Sequence, residues 1–484
     1  MTASDAPAPG GHYDVVVIGA GSGNTVVDEA YAHLDVAIVE RGPFGGTCLN
    51  RGCIPSKMYV NPADLASAAR RAPTLGIPAE VGRADWAAIR DRVLARIDEA
   101  ADQGREGRRD EDGIEVLVGT ARFVGERRLL VELDAGGTAE ITGDQVVIAT
   151  GSRPVVPPIE GLDQVPYETS DTVMRMAELP RRLGVVGGGY VGCELAHVFA
   201  AYGSQVVQVE GSERLLDSQD TEVADHFTAA ARERWDVRLG VQVDKVATTA
   251  DGSITLHLDD GSDVEVDVLL LAVGRSTNAD TLDLDRAGVD VDDQGRVVVD
   301  EHQHTSAAGV WALGDASSPE PLKHVANQDA RVVHDNVLAA CRGDEPGEWA
   351  TSDHRFVPQA VFTHPQIAAV GLTEAEARDQ HGDDVAVVRH GIADIAYGWA
   401  MAGELDDDPE ANGFVKLLAL RSTGRLVGAH VVGPMASVLL QPLIMAMAHD
   451  LAVRGLARSQ YWIHPSLTEV VEGALLDLEA ELAP

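Results

Sequence analysis

At 484 residues the chain is too long for one ordinary domain, so two to four domains are expected. Its formal net charge of −39 repels phosphates and therefore argues against nucleic acid or an anionic membrane as a partner. The sequence contains no run of about 18 uncharged apolar residues and no basic-then-apolar secretion signal. We therefore expect a cytoplasmic protein that begins with a short disordered lead-in.

The first predicted element is a strand at residues 13–18, which enters a turn containing Gly19, Gly21 and Gly23. A helix and a second strand are predicted to follow, and the second strand ends at Glu40. Glycines in such a turn let the backbone approach a pyrophosphate, and an acid at this distance binds ribose hydroxyls. The pattern predicts a dinucleotide-binding unit.

The same pattern recurs in the middle of the chain. A strand at residues 183–186 enters a turn with Gly187, Gly189 and Gly192, and a strand at 206–209 leads to Glu210. Similar strand endings, VVIATGS at 146–152 and LLLAVGR at 269–275, close the two units. Because the second glycine set is intact, the sequence predicts two bound nucleotides rather than one.

The C-terminal part has a different character. A further apolar strand at residues 310–315 ends in Gly-Asp, and from about Thr351 short runs such as Phe414–Leu420 and Leu426–Val432 indicate antiparallel strands. Helix-compatible stretches, among them residues 439–448, follow them. We expect an α+β domain here.

The pair Cys48 and Cys53 is the candidate chemical centre. Four cysteines are too few for a disulfide framework in this chain, and a closed zinc site needs more ligands than flank the pair, so redox chemistry is favoured and no metal is predicted. Five residues of regular helix rise about 7.5 Å, so a disulfide here requires a distorted turn, for which Gly52 supplies the freedom. A helix N-terminus would lower the pKa of a thiol here.

Thiol–disulfide exchange also needs an acid–base group, because one thiol is deprotonated and another thiolate is protonated. His464 and Glu469, in the segment HPSLTE, offer an imidazole and a carboxylate that can orient it. On its own this histidine is one of 16, and a structural role would be the default.

Together these residues strongly resemble the class I pyridine-nucleotide disulfide oxidoreductases. The resemblance runs through nearly the whole chain in order. Beyond the first glycine turn with Glu40, it rests on GGTCLNRGCIPSK (45–57), ATGSRP (149–154), GGGYVG (187–192), VGRSTN (273–278), LGD (313–315), FTHPQIAAVGLTE (362–374) and HPSLTE (464–469).

The resemblance implies an α/β fold with two Rossmann-like dinucleotide-binding domains, for FAD and for NADPH or NADH, and a C-terminal α+β dimerisation domain. The implied segments are 1–157 and 281–350 for FAD, 158–280 for NAD(P) and 351–484 for dimerisation. The resemblance places FAD on Gly19, Gly21 and Gly23, with Glu40 at its adenosine ribose and Asp315 at its ribityl chain, and the nicotinamide nucleotide on Gly187, Gly189 and Gly192. The other cofactor-binding residues implied are Gly46, Thr47, Gly151, Glu210, Gly274, Arg275 and Ala326.

The resemblance also implies the catalytic roles. Cys48 would attack the substrate disulfide, Cys53 would face the flavin, and Lys57 and Glu194 would pair beside the flavin. His464, oriented by Glu469, would be the acid–base and would reach the site from the other subunit. The expected partners are therefore a small-molecule disulfide and a second copy of the chain, in a homodimer.

Within the family, two branches fit. Segments such as GSGN (21–24), AYGWAM (396–401) and QYWIHPSLTEVVEGALL (460–476) resemble the mycothione reductases, and an aromatic pair at Tyr461 and Trp462 could wall a sugar-bearing thiol or pack in a core. The alternatives are a dihydrolipoamide dehydrogenase, which would be a subunit of a larger complex, and a reductase of another small disulfide such as bis-γ-glutamylcystine. A flavoprotein electron relay would need none of Cys48, Cys53, His464 and Glu469.

One departure concerns the nicotinamide nucleotide. Glu210 ends the second unit, where a carboxylate hydrogen-bonds a ribose 2′-hydroxyl and repels a 2′-phosphate. This favours NADH, although Arg214 lies close enough in sequence to accommodate NADPH.

Overall fold

The computed structural model of the protein describes residues 11–344, 346–401 and 413–483. The predicted N-terminal lead-in, at residues 1–10, lies outside the described residues. The chain divides into two compact units. The first comprises Met1–Pro55, Arg90–Val155 and Arg275–His354, and the second comprises Ser56–Ile89, Val156–Gly274 and Arg355–Pro484. The four segment bounds expected from the sequence stay a prediction.

A parallel sheet is the centre of the first unit. Its strand order is Ile114–Gly125, Val36–Glu40, Gly11–Ile18, Thr138–Ile148, Val310–Ala312. The strand Arg128–Leu133 pairs antiparallel with the two long strands, and the short strands Ser152–Pro154 and Arg275–Thr277 pair with each other. The helices that begin or lie in this unit are Gly46–Arg51, Cys53–Arg71, most of Trp86–Arg109, and Lys323–Arg342.

The central strand Gly11–Ile18 explains why this part of the sequence reads as a continuous apolar run. Val16 belongs to the core cluster on one face of the sheet, whereas Val15 and Val17 belong to the cluster on the other. A strand buried on both faces has no polar side to alternate with.

The prediction of a helix after the first glycine turn is wrong. In its place are two three-residue 3₁₀ turns, Gly23–Thr25 and Glu29–Tyr31. Val26 and Val27 are β-branched and disfavour helix. Asp28 then has an extended backbone, and its carboxylate accepts a hydrogen bond from the amide of Ala30 at 2.9 Å, which starts a new turn.

The guanidinium of Arg108 satisfies backbone carbonyls of this irregular segment. It donates to the carbonyl oxygens of Asn24 and Val27 at 2.7 and 2.6 Å, and to the side-chain oxygen of Asn24 at 2.8 Å. In an α-helix those carbonyls would accept from amides four residues later. The arginine therefore replaces helical hydrogen bonds.

The second unit contains the other parallel sheet, with strand order Asp236–Leu239, Gln205–Glu210, Arg182–Val186, Val268–Leu271, Glu168–Thr169. An antiparallel three-stranded sheet consists of Val243–Thr248, Ile254–Leu258 and Asp263–Val266. The helices are Tyr190–Ala201 and Thr221–Arg232. Here an α-helix does follow the glycine turn, as predicted.

The C-terminal part of the second unit is an antiparallel sheet with helices. The strand order is Pro358–Val361, Ile367–Gly371, Leu426–Val432, Phe414–Leu420, Val385–Gly391. The helices are Glu374–His381, Ala396–Met401, Ala436–Leu439, Gln441–Ala448 and Glu469–Glu481. The predicted fold class, with two Rossmann-like domains and a C-terminal α+β domain, is confirmed. None of the described helices is long and apolar enough to cross a membrane.

Candidate active site

Cys48 and Cys53 lie on either side of a break in a helix. The helix Gly46–Arg51 contains Cys48, and the helix that begins at Cys53 continues to Arg71. Between them Gly52 has a non-helical backbone, with φ −135° and ψ −120°. A Cβ at Gly52 would lie 3.0 Å from the carbonyl oxygen of Thr47. The distortion expected at Gly52 is therefore present, and a side chain there would crowd the preceding turn.

The buried side chain of Asn50 anchors the short helix. Its amide group donates hydrogen bonds to the carbonyl oxygens of Phe44 and Gly46 at 2.8 and 2.9 Å. Phe44 belongs to the glycine-rich loop that precedes the helix, and Gly46 is the first residue of the helix. A buried amide that holds two backbone carbonyls fixes the loop and the first cysteine in one geometry.

The two cysteines are free thiols that influence each other. A hydrogen bond with Cys53 raises the pKa of Cys48, and burial and the charge of the neighbouring sulfur add to the increase. The expectation that a helix N-terminus lowers the thiol pKa does not hold for Cys48 in the dithiol, because the hydrogen bond with Cys53 and burial raise the pKa of Cys48.

The remaining two cysteines are poor candidates for redox chemistry. Cys193 is fully buried in the helix Tyr190–Ala201, and burial raises its pKa. Burial also raises the pKa of Cys341 to about 11. Thiolate is the reactive form, so neither thiol is activated.

One glycine of the first turn, Gly21, is not required by the backbone conformation or the packing of the ligand-free protein. A Cβ at Gly19 would lie 2.4 Å from the carbonyl oxygen of Ala149, and one at Gly23 would lie 2.6 Å from the Ala149 methyl group. A Cβ at Gly21 would meet only the Cα of Gly46 at 3.5 Å, an ordinary contact, and its φ is not positive. The open space above Gly21 is the kind of cradle that a pyrophosphate fills.

The second glycine turn repeats this arrangement. Added Cβ atoms would lie 2.4 Å from the Ala272 carbonyl oxygen at Gly187 and 2.3 Å from the Gly187 carbonyl oxygen at Gly192. A Cβ at Gly189 would meet nothing within 4 Å. Gly189 is the N-cap of the helix Tyr190–Ala201, whose N-terminus favours an anion. In both turns, then, the middle glycine leaves room for a ligand, and the residues present fit a dinucleotide.

The acids that end the second strand of each unit hold their turns in the same way. Glu40 accepts hydrogen bonds from the amides of Ala20 at 2.7 Å and Gly42 at 2.8 Å. Glu210 accepts from the amides of Gly188 at 2.5 Å and Ser212 at 2.8 Å. Each carboxylate is thereby fixed beside its glycine turn, where a ribose would lie.

Arg214 is engaged by acidic neighbours. Its guanidinium lies 2.8 Å from a carboxylate oxygen of Asp225 and 3.2 Å from one of Asp217. These contacts raise the pKa of Arg214 above its ordinary value. A ribose 2′-phosphate would have to compete with two carboxylates for this cation.

Asp315 belongs to a small network in the first unit. The hydroxyl of Ser152 donates to its carboxylate at 2.5 Å, and Arg275 donates to the Ser152 hydroxyl at 2.8 Å. Ala326 packs close behind, since a Cβ at Gly314 would lie 2.9 Å from its methyl group. Arg275 thus lies beside Ser152 and Asp315 in the first unit.

Gly151 and Gly274, the glycines of the two similar strand endings, both have positive φ, 64° and 126°. A Cβ at either would meet nothing within 4 Å. Their glycine identity therefore follows from backbone conformation rather than from packing.

Lys57 and Glu194 form the ion pair that the resemblance implied. The ammonium lies 2.9 and 2.7 Å from the two oxygens of the nearly buried Glu194 carboxylate, and 4.6 Å from the ring centroid of Phe362. The amide of Phe362 also donates to Glu194 at 2.9 Å. Lys57 follows Cys53 by four residues in the same helix. The place of this pair beside a flavin stays a prediction.

His464 and Glu469 form a hydrogen-bonded pair in the C-terminal sheet domain. The imidazole donates from Nδ1 to Glu469 at 2.7 Å, and the amide of Ser466 donates to the other carboxylate oxygen at 3.1 Å. The His464 bond lowers the pKa of Glu469, so the carboxylate is ionised at neutral pH. The His464 side chain is 71% exposed, and its Nε2 has no partner among the described residues.

The two aromatic residues before His464 differ in how far they are buried. Trp462 packs against the domain core, and its indole donates to the Ala457 carbonyl oxygen at 2.8 Å. Tyr461 is fully exposed, and Ile463 is 75% exposed. Tyr461 is therefore the more exposed residue of the pair, and Trp462 is partly buried.

Sequence reasoning missed three residues of the site: Asn50, Ser152 and Lys323. Asn50 and Ser152 stand inside quoted motifs, but their hydrogen-bond partners are distant in sequence or are backbone groups. Lys323 starts the helix Lys323–Arg342 and donates to the hydroxyl of Ser22 at 2.7 Å, across 301 positions of sequence. Its rarity, as one of only four lysines, was the one available signal.

The site combines two interacting cysteines, two glycine turns that leave room for a dinucleotide, and a histidine bound to a carboxylate. These features are those of a thiol–disulfide enzyme that uses a flavin and a nicotinamide nucleotide. The family models agree with this geometry. Residues 13–330 match the pyridine nucleotide-disulphide oxidoreductase family, and residues 357–475 match the dimerisation domain of that family. The chain belongs to this family, and it is an FAD-dependent oxidoreductase that uses NAD(P)H.

Individual relatives span nearly the whole chain. The mycothione reductase of Mycobacterium tuberculosis is 49% identical over 96% of this chain and 99% of its own length. The dihydrolipoyl dehydrogenase of Halobacterium salinarum is 35% identical, with 94% of each chain covered. Among solved structures, the flavoprotein disulfide reductase RclA from Escherichia coli superimposes with a TM-score of 0.83 at 30% identity, covering 97% of this chain and 99% of its own.

The two middle glycines provide a paired test of the nucleotide sites. Gly21→Ala should weaken FAD binding by about tenfold or more, equivalent to about 1.4 kcal/mol, and Gly189→Ala should do the same to NAD(P)H. The added methyl groups fit the ligand-free protein but enter the space that a pyrophosphate needs. Isothermal titration of both ligands measures this effect.

Each variant is the control for the other, because Gly21→Ala should spare NAD(P)H binding and Gly189→Ala should spare FAD binding. Unfolding of the flavin-free proteins should occur at unchanged temperature. Equal loss of both ligands in either variant would contradict the assignment of one nucleotide to each turn.

Proposed function

We propose that this protein reduces mycothione, the disulfide of mycothiol, with electrons from NAD(P)H, through a disulfide formed by Cys48 and Cys53. The observation that carries the substrate assignment is the identity of 49% to a mycothione reductase over 96% of the chain, against 35% to a dihydrolipoyl dehydrogenase. The observation that supports the chemistry is the helix break at Gly52, which allows two thiols five positions apart to interact.

The nucleotides would bind at the two glycine turns. FAD would lie over Gly21 with Glu40 at its adenosine ribose and Asp315 at its ribityl chain, and NAD(P)H would lie over Gly189. FAD bound there would supply two-electron transfer from NAD(P)H to the Cys48–Cys53 disulfide. The role of the protein is then thiol–disulfide exchange.

The exchange proceeds in two displacements. The sulfur of Cys48, as thiolate, attacks one sulfur of the substrate disulfide, which forms a mixed disulfide and releases the first product as a thiolate. Cys53, as thiolate, then attacks the sulfur of Cys48, releases the second product and closes the Cys48–Cys53 disulfide. Two electrons leave the protein, and each product thiolate takes one proton.

His464 would accept and donate those protons. Glu469 accepts the hydrogen bond from Nδ1, which leaves Nε2 to take the proton of Cys48 and give it to the departing thiolate. The imidazole is 71% exposed and follows the exposed residues Tyr461 and Ile463 in the chain. An exposed acid–base with apolar neighbours, in a domain that matches a dimerisation model, supports a homodimer in which the partner subunit's His464 serves each site.

Glu210 and Arg214 favour NADH over NADPH. The Glu210 carboxylate is held beside the second glycine turn, and the cation of Arg214 is shared by Asp217 and Asp225. A 2′-phosphate would meet a fixed negative charge there, and the nearby positive charge is already compensated.

Replacing Cys48 tests its role as the attacking thiol. Cys48→Ser should reduce disulfide turnover to background while NAD(P)H still reduces the flavin, because the serine hydroxyl is not a nucleophile towards sulfur at neutral pH. Stopped-flow flavin absorbance and steady-state turnover measure the two steps. The control is Cys341→Ser, which should keep full turnover, and loss of flavin reduction in Cys48→Ser would show that the thiol roles are assigned wrongly.

Replacing His464 tests the acid–base. His464→Gln should lower disulfide turnover by about 100-fold or more, the usual worth of a positioned proton donor, with flavin reduction unchanged. The side chain is 71% exposed in the single subunit, so the substitution should leave the folding of the subunit, measured by its circular dichroism spectrum, unchanged. Turnover within about threefold of wild type would remove His464 from the mechanism.

Two other substrates are possible within this family, and a direct assay distinguishes them. Purified enzyme is given mycothione, bis-γ-glutamylcystine and dihydrolipoamide, each with NADH/NAD⁺ and NADPH/NADP⁺. Efficient reduction of mycothione with a higher kcat/KM for NADH is expected. Dihydrolipoamide oxidation without mycothione reduction would instead make the protein a dihydrolipoamide dehydrogenase.

A further inference from the structure

Lysine is rare in this strongly acidic chain, and three of its four lysines are neutralised by carboxylates. Lys57 pairs with Glu194 at 2.7 Å, and Lys245 pairs with Glu160 at 2.7 Å. Lys416, which is buried, lies 2.9 Å from Asp220 and also contacts Glu222 and Glu374. Within the ranges that the structure describes, Lys323 alone has no carboxylate partner.

The position of Lys323 makes the lack of a directly bonded carboxylate costly. The side chain is half-buried, and burial lowers the pKa of its ammonium group, which is the unfavourable effect of removing a cation from water. Its Nζ donates to the neutral hydroxyl of Ser22 at 2.7 Å. In a protein with 77 acidic residues, a half-buried cation paired only with a hydroxyl indicates a site for an anion from outside the chain.

Ser22 identifies that site, because it lies between Gly21 and Gly23 in the first glycine turn. This turn lacks the usual source of positive potential. A Rossmann turn normally opens an α-helix, whose N-terminus carries about half a positive charge, but here only the three-residue turn Gly23–Thr25 follows. The second turn, by contrast, opens the 12-residue helix Tyr190–Ala201.

We infer that Lys323 binds the diphosphate of FAD and supplies, as a side-chain cation, the positive charge that the missing helix does not. Its ammonium and the Ser22 hydroxyl would both donate to phosphate oxygens above Gly21. This inference rests on the proposed place of FAD over the first glycine turn.

The neighbouring thiols explain the position of the Lys323 ammonium group less well than a diphosphate does. The charges of Cys48, Cys53 and Asp315 all act to raise the pKa of the lysine, so these groups lie within electrostatic reach. The hydrogen bond, however, is made with Ser22 and not with a sulfur. A contact with the thiols would also serve only one redox state, whereas the diphosphate is an anion in every state.

Binding of FAD to flavin-free protein tests the inference without reliance on turnover. Lys323→Met should raise the Kd for FAD by about 10- to 100-fold, the range for losing a charge-assisted hydrogen bond, and should flatten the salt dependence of that Kd. Lys323→Arg should stay within about fivefold of wild type, because it keeps the charge. Lys245→Met, which removes a surface lysine elsewhere, should change neither quantity.

ADP separates the diphosphate from the flavin. As a competitor of FAD it should bind wild-type flavin-free protein more tightly than Lys323→Met by the same factor. An unchanged Kd and an unchanged salt dependence in Lys323→Met would overturn the inference, as would an effect on FAD without one on ADP. If Gly21→Ala also leaves FAD binding intact, the failure lies in the proposed FAD position rather than in Lys323 alone.

Discussion

The chemistry of this protein depends on a helix that is interrupted at one residue. Cysteines five positions apart in a continuous α-helix point to different faces, with their Cα atoms about 7.5 Å apart along the axis, beyond the reach of a disulfide. The break at Gly52 removes that constraint, and the amide of Asn50 holds the preceding loop so that Cys48 stays in place. The two thiols then interact through a hydrogen bond, which raises the pKa of Cys48.

The glycine turns show how ligand requirements can be separated from folding requirements. The outer glycines are needed because a Cβ would collide with the backbone or side chains of the protein itself. The middle glycines, Gly21 and Gly189, have room for a methyl group in the ligand-free chain. Their identity is explained by what binds above them. The two turns differ in how they attract an anion, since one opens a helix and the other faces the ammonium of Lys323.

Much of this organisation could be predicted from the sequence. The apolar strands, the two glycine turns and the acids Glu40 and Glu210 are local patterns with a fixed spacing, and they predicted the fold class correctly. The cysteine spacing was enough to require a distortion near Gly52. The helix predicted after the first turn is absent. The usual βαβ pattern predicts a helix there, but the β-branched Val26 and Val27 and the turn-forming Asp28 disfavour one.

What could not be predicted depends on contacts between distant positions. Arg108 replaces helical hydrogen bonds at Asn24, and Lys323 reaches Ser22, but neither pairing leaves a periodic trace in the sequence. The shift in the pKa of Cys48 likewise follows from the relative position of two sulfurs rather than from the helix position of one. Trp462 is partly buried against a core and Tyr461 is exposed, a difference that adjacent aromatic residues in a sequence do not reveal.

The redox centre is tested most directly by identifying the cysteines that become free thiols when NADH reduces the enzyme. Oxidised holoenzyme and enzyme reduced anaerobically with NADH are denatured in excess alkylating reagent, and the labelled cysteines are located by mass spectrometry. We predict that Cys48 and Cys53 are unlabelled before reduction and both labelled after it, while Cys193 and Cys341 are labelled equally in the two samples. Full labelling of Cys48 and Cys53 in the oxidised enzyme, or a change at only one of them, would contradict a Cys48–Cys53 redox disulfide.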